Sequence, residues 1–234
     1  MKINTNEVFG WSAAFLSLIV YIFPVPIYFK LCKGQIRFND APNLKVLLNY
    51  FICINWIFYS YLLKDKHIFF GNLSGALFSF FCIITFLVIL AKLKKLKAFL
   101  FTIMLLSYTI LSYLLFVLLI KNVDVIGYIC VALSLFSLVD SFSILKMAIK
   151  FRNYKFIPIK LCLFNLVATT CWIIYGFMII NFHVIIPNFI GMVSTFILMF
   201  IWNIFKKRKS NVEDVINMSI NASKVRSENT VSIA

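Results

Sequence analysis

Two stretches decide how this sequence is read: WIFYSYLLKDKHIFFGNLSG at residues 56–75 and WIIYGFMIINFHVIIPNFIG at residues 172–191. Trp56, Tyr59, Asn72 and Gly75 recur as Trp172, Tyr175, Asn188 and Gly191, each 116 residues later, and His67 and His183 keep the same offset. Internal self-similarity decides the architecture before any local pattern does. Here it implies two copies of one unit. Each stretch crosses two apolar runs joined by a very short turn, so a Trp, a Tyr and an Asn stand at matching places in two long apolar segments. Such residues converge on an axis between the halves, and an Asn amide brings donors and acceptors to a setting where polar groups are costly. That is the pattern of a site for a polar, uncharged ligand.

Composition sets the solvent. The 234 residues are 62% hydrophobic and only 13% charged, with 27 Phe, too little polar surface to cover a water-soluble globule. Seven apolar runs, at about 8–30, 43–63, 68–91, 98–120, 124–149, 159–180 and 183–205, can each cross a hydrocarbon core of roughly 30 Å at ~1.5 Å per residue. The expected fold is an all-α membrane protein of seven transmembrane helices. The first run carries Pro24 and Pro26 and lacks a small-residue cleavage site behind a basic start, so it reads as a retained helix and not a signal peptide.

A net charge of +15 raises the question of a nucleic-acid partner. Its distribution answers with topology instead. Lys2, Lys64, Lys66 and Lys121 are the basic residues of one face, and all others lie in or beside the loops after the first, third and fifth runs and in the tail. The positive-inside rule then puts the N-terminus outside and the tail in the cytosol. The six cysteines show no metal spacing and fall mostly inside apolar runs, as packing residues do.

Along the chain, Gly10, Ser17, Val20 and Pro24 of the first run have as counterparts Gly127, Ser134, Ser137 and Ser141 of the fifth, each 117 residues later. A one-residue change in a loop explains the shifted offset. Ser17 and Ser134 can serve a ligand from the partner half or bond back to their own helix carbonyl. Pro42 and Pro158 open the second and sixth runs, where a missing amide is harmless. Trp56 and Trp172 are either interfacial anchors or, about two turns inside their runs, parts of the site. Asn72 stands only about four residues, ~6 Å, into its run, shallower than a midplane site requires. Either that run begins outside the hydrocarbon or the pocket lies nearer the outer face. His67 and His183 read as boundary residues.

The fourth run has no counterpart. Three helices reverse chain polarity, so one extra span makes the two units parallel, related by an axis along the membrane normal. This predicts a parallel 3+1+3 repeat: a first unit over 1–96, a linker helix over 97–122 in which Tyr108 packs against one half, a second unit over 123–206, and a disordered cytosolic tail over 207–234. Asp140 falls within the fifth run, where an ionised carboxylate must pair, protonate or face water.

The Pro-Val-Pro of residues 24–26, the Trp-x2-Tyr pairs, Gly71-Asn72, Pro187-Asn188 and the 3+1+3 count together resemble the SWEET family of sugar transporters over about residues 8–205. The resemblance implies facilitative uniport of a mono- or disaccharide by alternating access, probed by no cofactor, metal or chemistry, in a multi-pass protein of the plasma membrane. By position, Asn72, Asn188, Trp56 and Trp172 would contact sugar, Ser17, Val20, Ser134 and Ser137 would line the cavity, and Tyr59 with Asp65 would form the outer gate. Pro24, Pro42 and Pro158 match the family's hinge prolines. Two positions depart: Ser141 replaces the fifth-helix proline, so that helix should bend less than the first does at Pro24, and Asn181 stands where a gate acid is expected. The partners implied are sugar and the lipid bilayer, with a homo-oligomer allowed and no nucleic acid. A proton-coupled PQ-loop-type amino acid exporter is opposed by the absence of any Pro-Gln pair, and a seven-helix receptor by the repeat and the short connections. No Cys/His dyad, metal cluster or phosphate loop points to an enzyme.

Overall fold

A computed structural model describes residues 5–38, 41 and 43–231, with side chains as far as Arg208 and without that of Asp140. In chain order the helices are α1 (Thr5–Ile22), α2 (Val25–Cys32), α3 (Asn43–Leu63), α4 (Lys66–Leu93), α5 (Lys95–Leu119), α6 (Val123–Phe136), α7 (Val139–Phe151), α8 (Ile159–Met178) and α9 (Phe182–Val231), with a 3-10 turn at Tyr154–Phe156. They make seven spans: α1 with α2, then α3, α4 and α5, then α6 with α7, α8, and α9 as far as Arg208. The side chains of the expected tail beyond Arg208 lie outside the described residues, as do Pro42 and the side chain of Asp140.

Each unit places its third span between the other two. α4 packs against both α1 and α3, and α9 packs against α8 on one side and α6 and α7 on the other. The units meet crosswise, α1 against α8 and α3 against α6. α5 lies on the outside of α3 and α4, where Asn55 donates to the Tyr108 hydroxyl at 2.8 Å and Phe51 stacks on the Tyr108 ring. The linker therefore packs on the first half, while Leu96 and Leu118 stay exposed on its outer face, as suits a span facing lipid.

The core is divided in a way that positions the site. At the face where the chain begins, residues of both units share one cluster: Ala13, Trp56, Tyr59 and Ile68 pack with Ile126, Trp172, Tyr175 and Val184. At the opposite face each unit has its own cluster, around Tyr28, Val46 and Phe86 in the first and around Ala148, Cys162 and Leu198 in the second. The units are joined at one end and apart at the other. Since burial of apolar area is the non-directional part of packing, this division leaves a cavity between them.

Both broken spans turn the same way for different reasons. At Pro24 (φ −73°, ψ −21°) the ring removes an amide, and the Val20 carbonyl is met instead by Phe23 N–H at 3.4 Å. In the fifth span Ser137 (φ −63°, ψ −19°) and Leu138 (φ −64°, ψ −16°) separate α6 from α7. There the Ser137 hydroxyl donates to the Ser134 carbonyl at 2.6 Å, and Leu138 N–H shifts to the Leu135 carbonyl at 3.1 Å. A serine hydroxyl bonded back to its own helix thus does what a proline does. The fifth span, which has no proline at 141, breaks its helical bonding at Ser137 and Leu138.

The two hairpins that carry the repeated motif close on the same turn. Lys64 (φ 55°) and Ile180 (φ 52°) both adopt the left-handed region, and Asp65 N–H to Ser60 O (3.0 Å) matches Asn181 N–H to Gly176 O (2.9 Å). This ends the helix in the six-to-one bond of a Schellman turn without a glycine. The backbone reverses in two residues, so Asp65 can cap α4 through the amides of His67 (2.9 Å) and Ile68 (3.0 Å). Asn181 accepts from Val184 N–H at 3.3 Å in the same manner.

Candidate functional site

The repeated tryptophans are exchanged between the units. Trp56 of α3 donates its indole N–H to Ser134 Oγ of α6 at 3.0 Å, and Trp172 of α8 donates to Ser17 Oγ of α1 at 2.8 Å. Both rings are under a tenth exposed, far too buried for interfacial anchors. A buried indole needs a partner for its N–H, and each finds it in the opposite half. Each serine hydroxyl thus accepts an indole N–H from the opposite half and keeps its own O–H to donate. They hold the aromatic walls.

Asn72 and Asn188 lie beside these rings, and each gives one amide N–H to its own helix, to Ile68 O at 2.9 Å and to Val184 O at 2.8 Å. Among the described residues no protein group meets their carbonyl oxygens or second N–H bonds. Both asparagines face a cavity of about 780 Å³, which is also lined by Ser17, Val20, Trp56, Ser134, Ser137 and Trp172. All eight residues expected at the solute site are thus brought together. Pro24 and Pro158 are on the same wall lower down. The cavity runs from the level of Ile68 and Val184 down to Met147 and Phe156, on the side where the units separate.

Above it the units are bolted. Tyr175 donates to Asp65 Oδ2 at 2.7 Å and lies 2.9 Å from His67 Nδ1, while His67 Nε2 is 3.1 Å from Glu7 and Lys66 pairs with Glu7 at 3.0 Å. The matching bolt joins Tyr59 to Asn181 (3.1 Å to Oδ1, 2.9 Å from Nδ2) and to His183 Nδ1 (3.1 Å). Each Tyr crosses to the other unit, Tyr175 to an acid and an imidazole and Tyr59 to an amide and an imidazole. Tyr59 and Asp65 both belong to this closure, Tyr59 meeting Asn181 and Asp65 meeting Tyr175. The histidines are not mere boundary residues. A Cβ on Gly10 would come within 2.6 Å of the His67 ring, and one on Gly127 within 2.7 Å of His183, so these glycines exist to let the imidazoles into the closure. Trp11 sits edge-on to His67 at 5.0 Å and Tyr128 edge-on to His183 at 4.8 Å. The depth of Asn72 follows: the first turn of α4 is spent on the bolt, and Asn72 stands at the closed end of the cavity beneath it.

Comparison with known proteins places this geometry. The family model described as "sugar efflux transporter for intercellular exchange" matches the chain twice, over residues 7–95 and 124–210. The chain belongs to the SWEET family. Its SWEET relatives include bidirectional sugar transporters of Arabidopsis thaliana, SWEET13 at 27% identity (93% of this chain, 78% of that protein) and SWEET14 at 29% (86% and 74%). Sugar transporter SWEET1 of Caenorhabditis elegans is 25% identical over 80% of this chain and 61% of its own. A 3.7 Å structure of a eukaryotic SWEET transporter shares the fold, with a TM-score of 0.72 over 87% of this chain and 100% of that one at 14% identity. As in the SWEET architecture read from the sequence, two three-span units flank one linker span.

Within this SWEET fold several site residues escaped sequence reading. Glu7 and Trp11 join the closure through Lys66 and His67 of their own unit and Tyr128 through His183 of its own, contacts between distant parts of the chain that spacing does not reveal. Asn49 and Asn165, 116 residues apart, also line the cavity, with Ser79 and Thr195 facing them. The same offset search that found the asparagines at 72 and 188 would have found this set. Among the described residues no group of His, Cys, Asp or Glu is arranged to hold a metal.

Proposed function

We propose that the protein carries mono- or disaccharide sugars across a membrane in either direction by facilitative uniport, exposing one cavity alternately to its two sides. The observation that carries this is the cavity end where Trp56 and Trp172 flank Asn72 and Asn188. Apolar ring faces suit the C–H surfaces of a sugar, amides suit its hydroxyls, and among the described residues no charged side chain stands at that level to demand an ion. The bolt closes one side of this site while the other is open, which is half of an alternating cycle. The relatives named as bidirectional sugar transporters support the same reading.

Substrate contact falls to Asn72, Asn188, Trp56 and Trp172, with Ser17, Ser134, Val20 and Ser137 as supporting wall. Tyr59 and Asp65, each with its cross-unit partner, serve as the outer gate. Pro24 and Pro158 are hinges. We further propose a plasma-membrane location with the N-terminus outside, from the distribution of basic residues; the cavity then opens to the cytosol. One chain holds the whole site, so a homo-oligomer is compatible with the reading and adds no residue to it.

Radiolabelled glucose, fructose, galactose and sucrose offered to vesicles holding only this protein test the proposal. Uptake that equilibrates without an ion gradient and accelerates in counterflow is expected. Vesicles that stay empty for every sugar would refute transport and leave a receptor-like role.

A further inference from the structure

The cavity continues well past the tryptophan and asparagine tier, and its walls repeat a second polar pattern. Asn49 stands seven residues before Trp56 on α3, and Ser79 seven after Asn72 on α4; Asn165 and Thr195 hold the same places on α8 and α9. Seven residues are close to two full helical turns, so each returns to the same face about 10 Å further along. The four are a second tier, below the first on the open side, and all four line the cavity.

The two pairs have the same internal bond. Asn49 donates to Ser79 Oγ at 2.7 Å and Asn165 to Thr195 Oγ1 at 2.9 Å. In the second pair the direction is forced: the Thr195 hydroxyl gives its own proton to Gly191 O at 2.8 Å, so it can only accept from Asn165. The Asn165 carbonyl oxygen and second N–H are then left over. The like geometry of Asn49 leaves it the same groups. Ser79 and Thr195 are buried, whereas both asparagines are half-exposed, and what exposes them is the cavity they line. A pure helix staple would not need an amide there, since a serine facing a serine ties two membrane helices as well.

We infer that Asn49, Ser79, Asn165 and Thr195 form a second hydroxyl-binding tier that receives the second ring of a disaccharide whose first ring lies between Trp56 and Trp172. The inference rests on the sugar-transport reading and narrows it. A single hexose ring cannot reach both tiers, but two glycosidically linked rings along the cavity axis can. The asparagine amides each offer one acceptor and one donor to ring hydroxyls, and Ser79 and Thr195 orient them.

The test uses the full chain in vesicles, with labelled glucose and sucrose. In the parent, sucrose should compete with glucose uptake at a lower concentration than unlabelled glucose does, because it engages both tiers. The double variant Asn49→Ala, Asn165→Ala should raise the half-saturating sucrose concentration about tenfold or more, as the loss of a hydrogen bond at each amide implies, and leave that for glucose within about twofold. The double variant Ser79→Ala, Thr195→Val breaks the staple but spares the amides, and should affect sucrose less. Glucose uptake without sucrose uptake or competition in the parent overturns the inference and leaves the transport reading intact. Equal loss for both sugars in both double variants also overturns it, by making the tier a staple. Absence of any sugar uptake in the parent removes the transport reading itself, a different outcome.

Discussion

The two halves of the closure have one geometry and two chemistries. In both, a tyrosine crosses to the residue that caps the next unit's third span, an imidazole packs on a glycine, and an aromatic ring covers the imidazole. In the half headed by the first unit these groups carry charge, through Glu7, Asp65 and Lys66. In the other, Asp124 keeps the acid of Glu7, but Asn181 and Phe182 take the places of Asp65 and Lys66. The difference teaches that the repeat conserves shape and leaves charge free. Shape is imposed by two spans that must close on one another, while a capping position accepts either an Asp or an Asn. Below the closure, on the cavity wall, the tryptophans, the asparagines and the pair Ser17 and Ser134 match in chemistry as well.

If the halves are equivalent at the solute level, Asn72→Ala and Asn188→Ala should each abolish sugar uptake to a similar extent while the protein still inserts and remains monodisperse. Near-normal uptake in either variant breaks the equivalence and moves the site. The tryptophans come next. Trp56→Ala and Trp172→Ala should each weaken sugar binding by about 1 to 3 kcal/mol, as loss of a large apolar contact implies, and binding titrations that match the parent would reduce the rings to packing.

Exchanging the gate residues sharpens the contrast in charge. Tyr175 donates to a carboxylate, a bond worth about 1.5–3 kcal/mol, whereas the neutral Tyr59–Asn181 contact is worth about 0.5–1.5 kcal/mol. Asp65→Asn, which keeps the cap, should therefore lower the population closed at this face, and Asn181→Asp should raise it. Spin labels at Tyr61 and Phe182, both exposed beside the closure, would report the distance distribution. Shifts of the same sign in both variants would show that charge is not what distinguishes the halves. The smallest effect is expected at Ser137. Ser137→Ala removes the bond to the Ser134 carbonyl, about 0.5–1.5 kcal/mol, and should let that carbonyl regain the Leu138 amide. Unchanged hydrogen exchange at Leu138 would assign the break to packing instead.

The sequence by itself determined the membrane setting, the seven spans, the duplication and a set of residues that line one cavity. Length of apolar runs is dictated by bilayer thickness, and a duplicated solute site keeps its residues at one offset, so Trp56, Asn72 and their partners were legible at 116 residues. Asn49 and Asn165 share that offset too, but the sequence reading did not single them out. Only the tertiary structure decided who bonds to whom. Ser17 serves Trp172, Tyr59 serves Asn181, and Asp65 serves Tyr175 because the units cross, α1 on α8 and α3 on α6. No local spacing encodes that pairing. The break in the fifth span was hidden for a related reason: a serine hydroxyl can point outward or take its own helix's carbonyl, and the choice at Ser137 is made by the packed chain, whereas at Pro24 the covalent ring had already made it.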